Sequence, residues 1–200
     1  LVALAEQDGC DVVSIPRLNY LLGAPLRHTG WGFESDYQSR FFRRGSLVVS
    51  AAIHDFLKPI PGARVHRLPA EEELAIVHFN YLDVNHFLEK LNRYTTIEAE
   101  QAAARQGQRS PLASVWEAAR EFSRRYVMHH GYRDGWRGFY LSAFMAFYRL
   151  STAAKLAELK GGLGRGEAAK RYAEIAEQVI AQYGPSAPHP RHEIVRDAEG

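Results

Sequence analysis

The chain has 200 residues, of which 46% are hydrophobic and 24% charged, enough for one medium domain or a smaller domain with a helical appendage. A formal net charge of +2 argues against a dedicated nucleic-acid binder. The lone Cys10 excludes an intrachain disulfide framework and a Cys-rich zinc site.

The opening stretch reads as the tail of a helix over residues 1–7, a turn at Asp8-Gly9 and then a strand. Without a Met or a charged lead-in before an apolar run it shows no signal peptide, and it reads as a chain that begins in mid-domain. Residues 11–20 carry Val12, Val13, Ile15 and Leu18 in a strand pattern, and Pro16 marks an edge or a bulge. Gly23, Pro25, Gly30 and Gly32 punctuate a loop. Residues 37–43 and 47–53 are two further strands, and Arg44-Gly45-Ser46 between them predicts a hairpin turn. Residues 74–79 form a short apolar strand with an acidic lead-in. Residues 1–80 are thus mostly strands and loops.

The period changes after Tyr81. Phe87, Leu88, Leu91, Tyr94 and Thr95 recur at helical spacing to about Arg105, with Asp83 or Asn85 as the N-cap. Pro111 suits the first turn of a second helix, which Gly131 ends. Gly135 or Gly138 precedes a third, over residues 139–159. Residues 81–160 therefore form a helical extension, and they hold 12 Lys/Arg against 8 Asp/Glu. Residues 161–166 are a break, 167–183 an amphipathic helix, and 184–200 a Pro-rich polar tail with the composition of disorder.

Several residues could carry chemistry. His54-Asp55 follows an apolar strand, where an open α/β sheet presents reactive groups. The carboxylate could take a proton and the His could bind metal or diphosphate; a loop-capping Asp beside a surface His is the alternative. His78 lies inside the apolar IVHFNY, either as a metal ligand on the catalytic face or as a half-buried hydrogen-bonded residue. Trp31, Asp36, Arg40, Arg43 and Arg44 form the polar half of GWGFESDYQSRFFRRG. Asp36 and Arg40 sit four apart, on one face of a regular strand, and the guanidinium could hold phosphate. The other reading is a solvated hairpin with one surface ion pair.

Arg120, Arg124, Arg125, Arg133 and Arg137 surround Tyr126, Tyr132, Trp136, Phe139 and Tyr140. Basic residues beside aromatics are the composition of an interfacial helix, although an ordinary packed helix has it too. The helix that follows spreads Phe139, Leu141, Phe144, Met145, Phe147, Tyr148 and Leu150 almost around its circumference. A helix apolar all round is buried in protein or in lipid. Its apolar core, residues 138–148, reaches about 16 Å against a hydrocarbon layer of about 30 Å, so it cannot span.

These motifs carry a resemblance. His78-Phe79-Asn80-Tyr81, then FLEKLNRYTT from Phe87 to Thr96 and Glu98-Ala99, resemble the HYxY…FLEKLNRYTTLEA signature of bacterial family 2 glycosyltransferases, similar to the lipopolysaccharide-core glucosyltransferases. Arg17–Gly23 and Asp36–Gly45 match upstream motifs of that family. His54-Asp55 stands where it usually shows His-Glu, and Gly131–Gly138 (GYRDGWRG) matches its glycine-aromatic entry to a C-terminal apolar helix.

The resemblance implies an α/β fold: the C-terminal, acceptor half of a GT-A glycosyltransferase, followed by a helical membrane-contacting extension. It implies inversion at the anomeric carbon, a nucleotide-sugar donor, a divalent metal (Mg or Mn), and a glycan or glycolipid acceptor at an anionic membrane surface. Asp55 would be the catalytic base. Trp31, Asp36, Arg40, Arg43 and His54 would meet substrate or diphosphate, and His78 the metal. Arg133, Trp136, Arg137, Phe139, Phe144 and Phe147 would meet the membrane. No Asp-x-Asp occurs in the chain, so the donor-binding half is expected before Leu1, and these residues alone should not catalyse efficiently. The expected location is cytoplasmic, peripheral on the inner membrane. The competing reading is a non-catalytic helical module for membrane tethering or protein interaction.

Overall fold

A computed structural model describes residues 9–49, 57–105, 110–162 and 164–183. The chain divides into a larger unit, Leu1–Ala157, and a smaller one, Glu158–Gly200. The larger unit is mixed α/β. Its first strand, β1 (Val12–Leu21), is rich in β-branched and apolar residues and is buried on both faces. Two antiparallel strands lie along one edge of it, β3 (Tyr37–Phe42) and the short β2 (Ala24–Pro25). Two parallel strands lie along the other, β6 (Val65–Arg67) beside its start and β7 (Ile76–Tyr81) beside its end. A separate antiparallel pair joins β4 (Leu47–Val49) to β5 (Leu57–Pro59).

This topology corrects two sequence expectations. The turn at Arg44-Gly45-Ser46 exists, with Gly45 at φ +86° and the Ser46 N–H donating to the Arg43 carbonyl. It makes no hairpin, because β3 pairs with β1 and β4 with β5. Pro16 marks no edge: β1 is the central strand. The Val12 N–H faces the β6 side, toward the Arg64 carbonyl, so by the two-residue repeat the Pro16 nitrogen faces the same edge. There β6 ends at Ser14 and β7 begins at Arg17. The missing donor falls in the gap between two parallel strands, where nothing needs it.

The helices follow their caps. The α1 helix (Val84–Ala104) starts at Asp83, whose carboxylate accepts from the His86 N–H at 2.7 Å. It buries Phe87, Leu91, Thr95 and Ala99, every fourth residue. In α2 (Pro111–Ser123), Ser110 caps and Pro111 opens the first turn. The backbone then widens into a π-helical turn, Arg124–Met128, and a 3₁₀ turn, Gly131–Asp134, leads into α3 (Gly135–Lys160). Gly138 lies inside α3 rather than before it. A β-carbon there would stand 1.8 Å from the Gly131 carbonyl oxygen, so glycine is required for the turn to fold back on the helix.

The main core joins the end of β1 to α1 and α3 through Leu21, Leu26, Phe87, Leu91, Leu141 and Tyr148. A second cluster, Cys10, Val13 and Ile15 with Leu68 and Ile76, sits at the start of β1. Polar locks add to the packing. The Lys155 ammonium donates to the Asn92 carbonyl and side chain at 2.7 Å each, and to the Thr95 and Thr96 hydroxyls at 2.8 Å each. The α3 helix is not apolar all round in effect: Leu141, Ser142, Tyr148, Thr152 and Leu156 are buried while Phe139, Tyr140, Phe147 and Leu150 are exposed. Among the described residues no helix is long and apolar enough to cross a membrane. In the smaller unit, α4 (Arg165–Gln182) leaves Tyr172, Ile175, Val179 and Ile180 exposed.

Candidate functional site

Arg17 and Asn19 are polar residues two apart in an otherwise apolar strand, so they share the face of Ile15 and Leu21. They lie between the two apolar clusters, one holding Ile15 and the other Leu21. The parallel register sets Asn19 beside His78 of β7. The Asn19 side chain, fully buried, donates to the Trp31 carbonyl at 2.9 Å and to Asp36 Oδ2 at 2.7 Å. Arg17 donates to the same carboxylate oxygen from Nε (2.9 Å) and from its terminal nitrogen (2.6 Å), and Gln38 donates to Oδ1 at 3.0 Å.

This wiring fixes the chemistry of His78. Both hydrogens of the Asn19 amide are spent on acceptors, so its oxygen faces His78 Nδ1, 2.8 Å away. An amide oxygen only accepts, hence Nδ1 carries the proton and Nε2 of the neutral ring keeps its lone pair. Burial lowers the His78 pKa below its ordinary value, and the charges of Arg17, Lys90 and Arg40 add to that against Asp36. The ring is therefore a neutral acceptor presented by a rigid partner.

The loop that carries Trp31 and Asp36 is held from below. Thr29 is fully buried at φ +64°, and a β-carbon on Gly32 would overlap the Arg27 carbonyl at 2.0 Å. Arg125, in the π-helical turn, donates to the Thr29 carbonyl at 2.9 Å and to Glu121 at 2.6 Å, with its guanidinium 5.5 Å from the Trp31 ring centre. Burial opposes the charge on Glu121, but Arg125 and Arg124 outweigh it and hold the carboxyl below its usual range. Trp31 stacks on Tyr81 at 6.2 Å, and burial pushes the Tyr81 phenol up to about 12. The Asp134 carboxylate accepts from the Arg27 and His28 backbone N–H groups, and Arg137 donates twice to the Leu22 carbonyl, at 3.1 and 3.0 Å. The GYRDGWRG segment is thus the clamp that seats the loop.

Of the residues singled out in the sequence, Trp31, Asp36 and His78 meet in one network. Arg40 is the extra residue of a bulge: Val13 pairs with Phe41 and Ser14 with Ser39. The bulge breaks the two-residue alternation, so the four-residue spacing from Asp36 does not set a common face. Arg40 is exposed, without a hydrogen bond or ion pair among the described residues, and its charge is felt at His78. Arg43 lies apart from the network, its Nε donating to the Cys10 carbonyl at 2.9 Å beside the start of β1. His54 and Asp55 lie outside the described residues. No three His, Cys, Asp or Glu side chains gather to hold a metal among the described residues.

The aromatic residues of α3 divide. Trp136 and Phe147 are each 52% exposed, and Arg133 is exposed beside Tyr132. Phe139 is partly exposed but meets Phe122 and Tyr126 edge-on. Phe144 is half-buried, its ring packing 5.2 Å from Phe87 against the main core, so only part of it faces outward. Arg137 is half-buried, committed to Leu22 and to the Trp136 ring. Leu22, Phe87, Tyr140 and Phe144 line a small apolar notch with Arg137 among its walls.

Asn19, Arg17, Arg125 and Glu121 were missed as members of the site. The signal for the first two was present, since two polar residues at i and i+2 in an apolar strand mark one polar strip. No family model, no curated protein and no solved structure matches this chain.

Proposed function

We propose that this chain supplies the acceptor side of an inverting glycosyltransferase of GT-A type that moves a sugar from a nucleotide-sugar donor to a lipid-linked or envelope glycan. The observation that carries the reading is the Arg17–Asp36–Asn19–His78 network, set in the C-terminal half of β1 where β7 runs parallel to it. Open α/β sheets bind ligands toward the carboxyl ends of their strands. The motifs that resemble the family 2 enzymes run through the same residues. In this proposal Asp55 is the general base, and His54, Arg40 and Arg43 face phosphate groups of donor or acceptor. In the same proposal His78 contacts a divalent metal, although no group of three His, Cys, Asp or Glu side chains gathers among the described residues. The working location is the cytoplasmic side of the inner membrane.

Sugar transfer is the test. The chain, alone and joined to whatever its reading frame encodes upstream, is incubated with labelled nucleotide hexoses, Mg or Mn, and bacterial envelope glycolipid. Transfer is expected from the longer product, and Asp55→Asn should lower it by about 100-fold, the usual scale for losing a general base. Transfer unchanged in that variant removes Asp55 from the mechanism, and no transfer with any donor removes the enzyme reading.

A second reading, a membrane-tethering module, is favoured by the exposed Trp136, Tyr140 and Phe147 beside Arg133. An in-plane helix buries such aromatics while its cations stay at headgroup level. Flotation with liposomes is expected to depend on anionic lipid and to weaken with salt. Binding to neither neutral nor anionic vesicles would remove the membrane from both readings.

A further inference from the structure

We infer that the outward face of α2 is an interface between two copies of this chain, which pack their α2 helices antiparallel about a two-fold axis, each Trp116 over the partner's Ala119 and Ser123. This goes beyond the readings above and is independent of sugar transfer and of membrane contact.

The α2 helix is inside out. It buries Ser114, Ala118 and Glu121, while Leu112, Val115 and Trp116 are 83%, 57% and 69% exposed. The polar side is held within the fold: the Ser114 hydroxyl donates to the Ser110 carbonyl at 3.0 Å, and Glu121 accepts from Arg124 and Arg125. A helix turns its apolar stripe toward whatever covers it, and a contiguous exposed apolar face marks an interaction surface. These three side chains leave on the order of 400 Å² of apolar surface in water, about the apolar part of the ~800 Å² that each partner brings to a standard interface.

The order of residues along the stripe selects a second copy. Leu112, Trp116, Ala119 and Ser123 recur at helical spacing and are all exposed, so they share one outward stripe. Its first half is large and its second half small. Parallel pairing of two copies would set Trp116 against Trp116 and leave a void at Ala119 and Ser123. Antiparallel pairing about the level of Ala118 sets each Trp116 into the hollow over the partner's Ala119 and Ser123, large against small twice. The charges agree with that direction. Glu117 and Arg120 lie on the same flank of the stripe, and reversing one helix brings each Glu117 opposite the partner's Arg120. Glu117 also has an interaction within its own chain, so this pair sits at the rim, where charge fixes register more than affinity. An anionic lipid surface is served by a uniformly basic flank. Here an acid stands on that flank, and the small second half gives lipid little to bury.

Sedimentation equilibrium of the full chain tests this. A dimer is expected, and a chain that stays monomeric up to about 100 μM overturns the proposal. Trp116→Ser changes an exposed residue, so far-UV circular dichroism should hold while the dimer dissociation constant rises roughly thirtyfold or more, the scale of one interfacial anchor. A dimer unaffected by that variant forms elsewhere on the chain, which also overturns the proposal. Ala119→Phe adds apolar surface but fills the hollow, so it should weaken the dimer too; a tighter dimer overturns the antiparallel arrangement. Glu117→Arg and Arg120→Glu should each weaken the dimer about threefold, and the two together should restore it. Failure to restore overturns the register. A monomer that binds phosphatidylglycerol vesicles through Trp116 assigns the face to lipid and overturns the proposal.

Discussion

Two polar clusters in this protein are built from similar parts and end in opposite states. Around Lys155, one ammonium meets four oxygens of Asn92, Thr95 and Thr96 and ties α3 to α1. Around His78, every member from Arg17 to Asn19 is satisfied by the next, and the chain of bonds stops at one ring nitrogen. The first cluster is a fastener. The second is a mount, spending its hydrogen bonds on orienting a group that remains open among the described residues. The most distinctive run in the sequence, FLEKLNRYTT, supplies the fastener, so distinctiveness of a motif is not by itself a sign of chemistry.

The largest effect is expected at Asn19. Asn19→Ala removes the partner of Asp36, of the Trp31 carbonyl and of His78 at once, and leaving buried polar groups unpaired should cost about 3 kcal/mol in a denaturant titration. A loss below about 1 kcal/mol would mean that the network is loose and the mount no mount.

A smaller effect is expected at the fastener. Lys155→Met keeps the stem and removes a half-buried ammonium whose three N–H donors are shared among four oxygens, which should cost about 2 kcal/mol. It should leave the His78 tautomer, read by ¹⁵N NMR of the ring, unchanged. A changed tautomer in that variant would show that the two clusters are one system.

The gentlest perturbation is pH. Burial lowers the pKa of His78, and also that of His129, below the ordinary value in the folded chain. The unfolded chain therefore takes up protons first as pH falls through about 6.5, and stability that is fully present above that value declines below it. The melting temperature at pH 5 should be lower than at pH 7.5, and His78→Gln should shrink the difference. A flat profile would place both rings in water.

Much of the helical half could be read directly from the residues. Asp83 caps α1 and the Phe87–Leu91–Thr95 stripe is buried because both are local properties, set by spacing along one helix. The strands were legible as strands, but their partners were not. β3 was paired with its chain neighbour, whereas its true partner is β1, and nothing local says so. Asp36 and His78 were each picked out for their chemistry, yet the residue that joins them belongs to a strand 59 positions before His78. Arg40 was placed by a two-residue repeat that a single bulge interrupts. Phe144 and Phe147 look alike in the sequence; three positions apart on a helix, one meets Phe87 and the other meets solvent.

The parallel register of β1 and β7 has a consequence for how the protein comes to be folded. The antiparallel turn from β1 into β2 closes within a few residues, from Leu21 to Ala24. Asn19 waits for His78 across a span of 59. Contacts that close long stretches of chain form late, because the entropy of closure must be met before the contact rewards it. By the same rule the bond between Asn19 and His78 follows the β1–β2 turn, and the clamp that Arg125, Asp134 and Arg137 place on the loop, across 96 to 115 positions, follows it. A chain that stalls before that bond has its local turns but no oriented imidazole, and the proton on Nδ1 becomes a marker that β7 has joined β1.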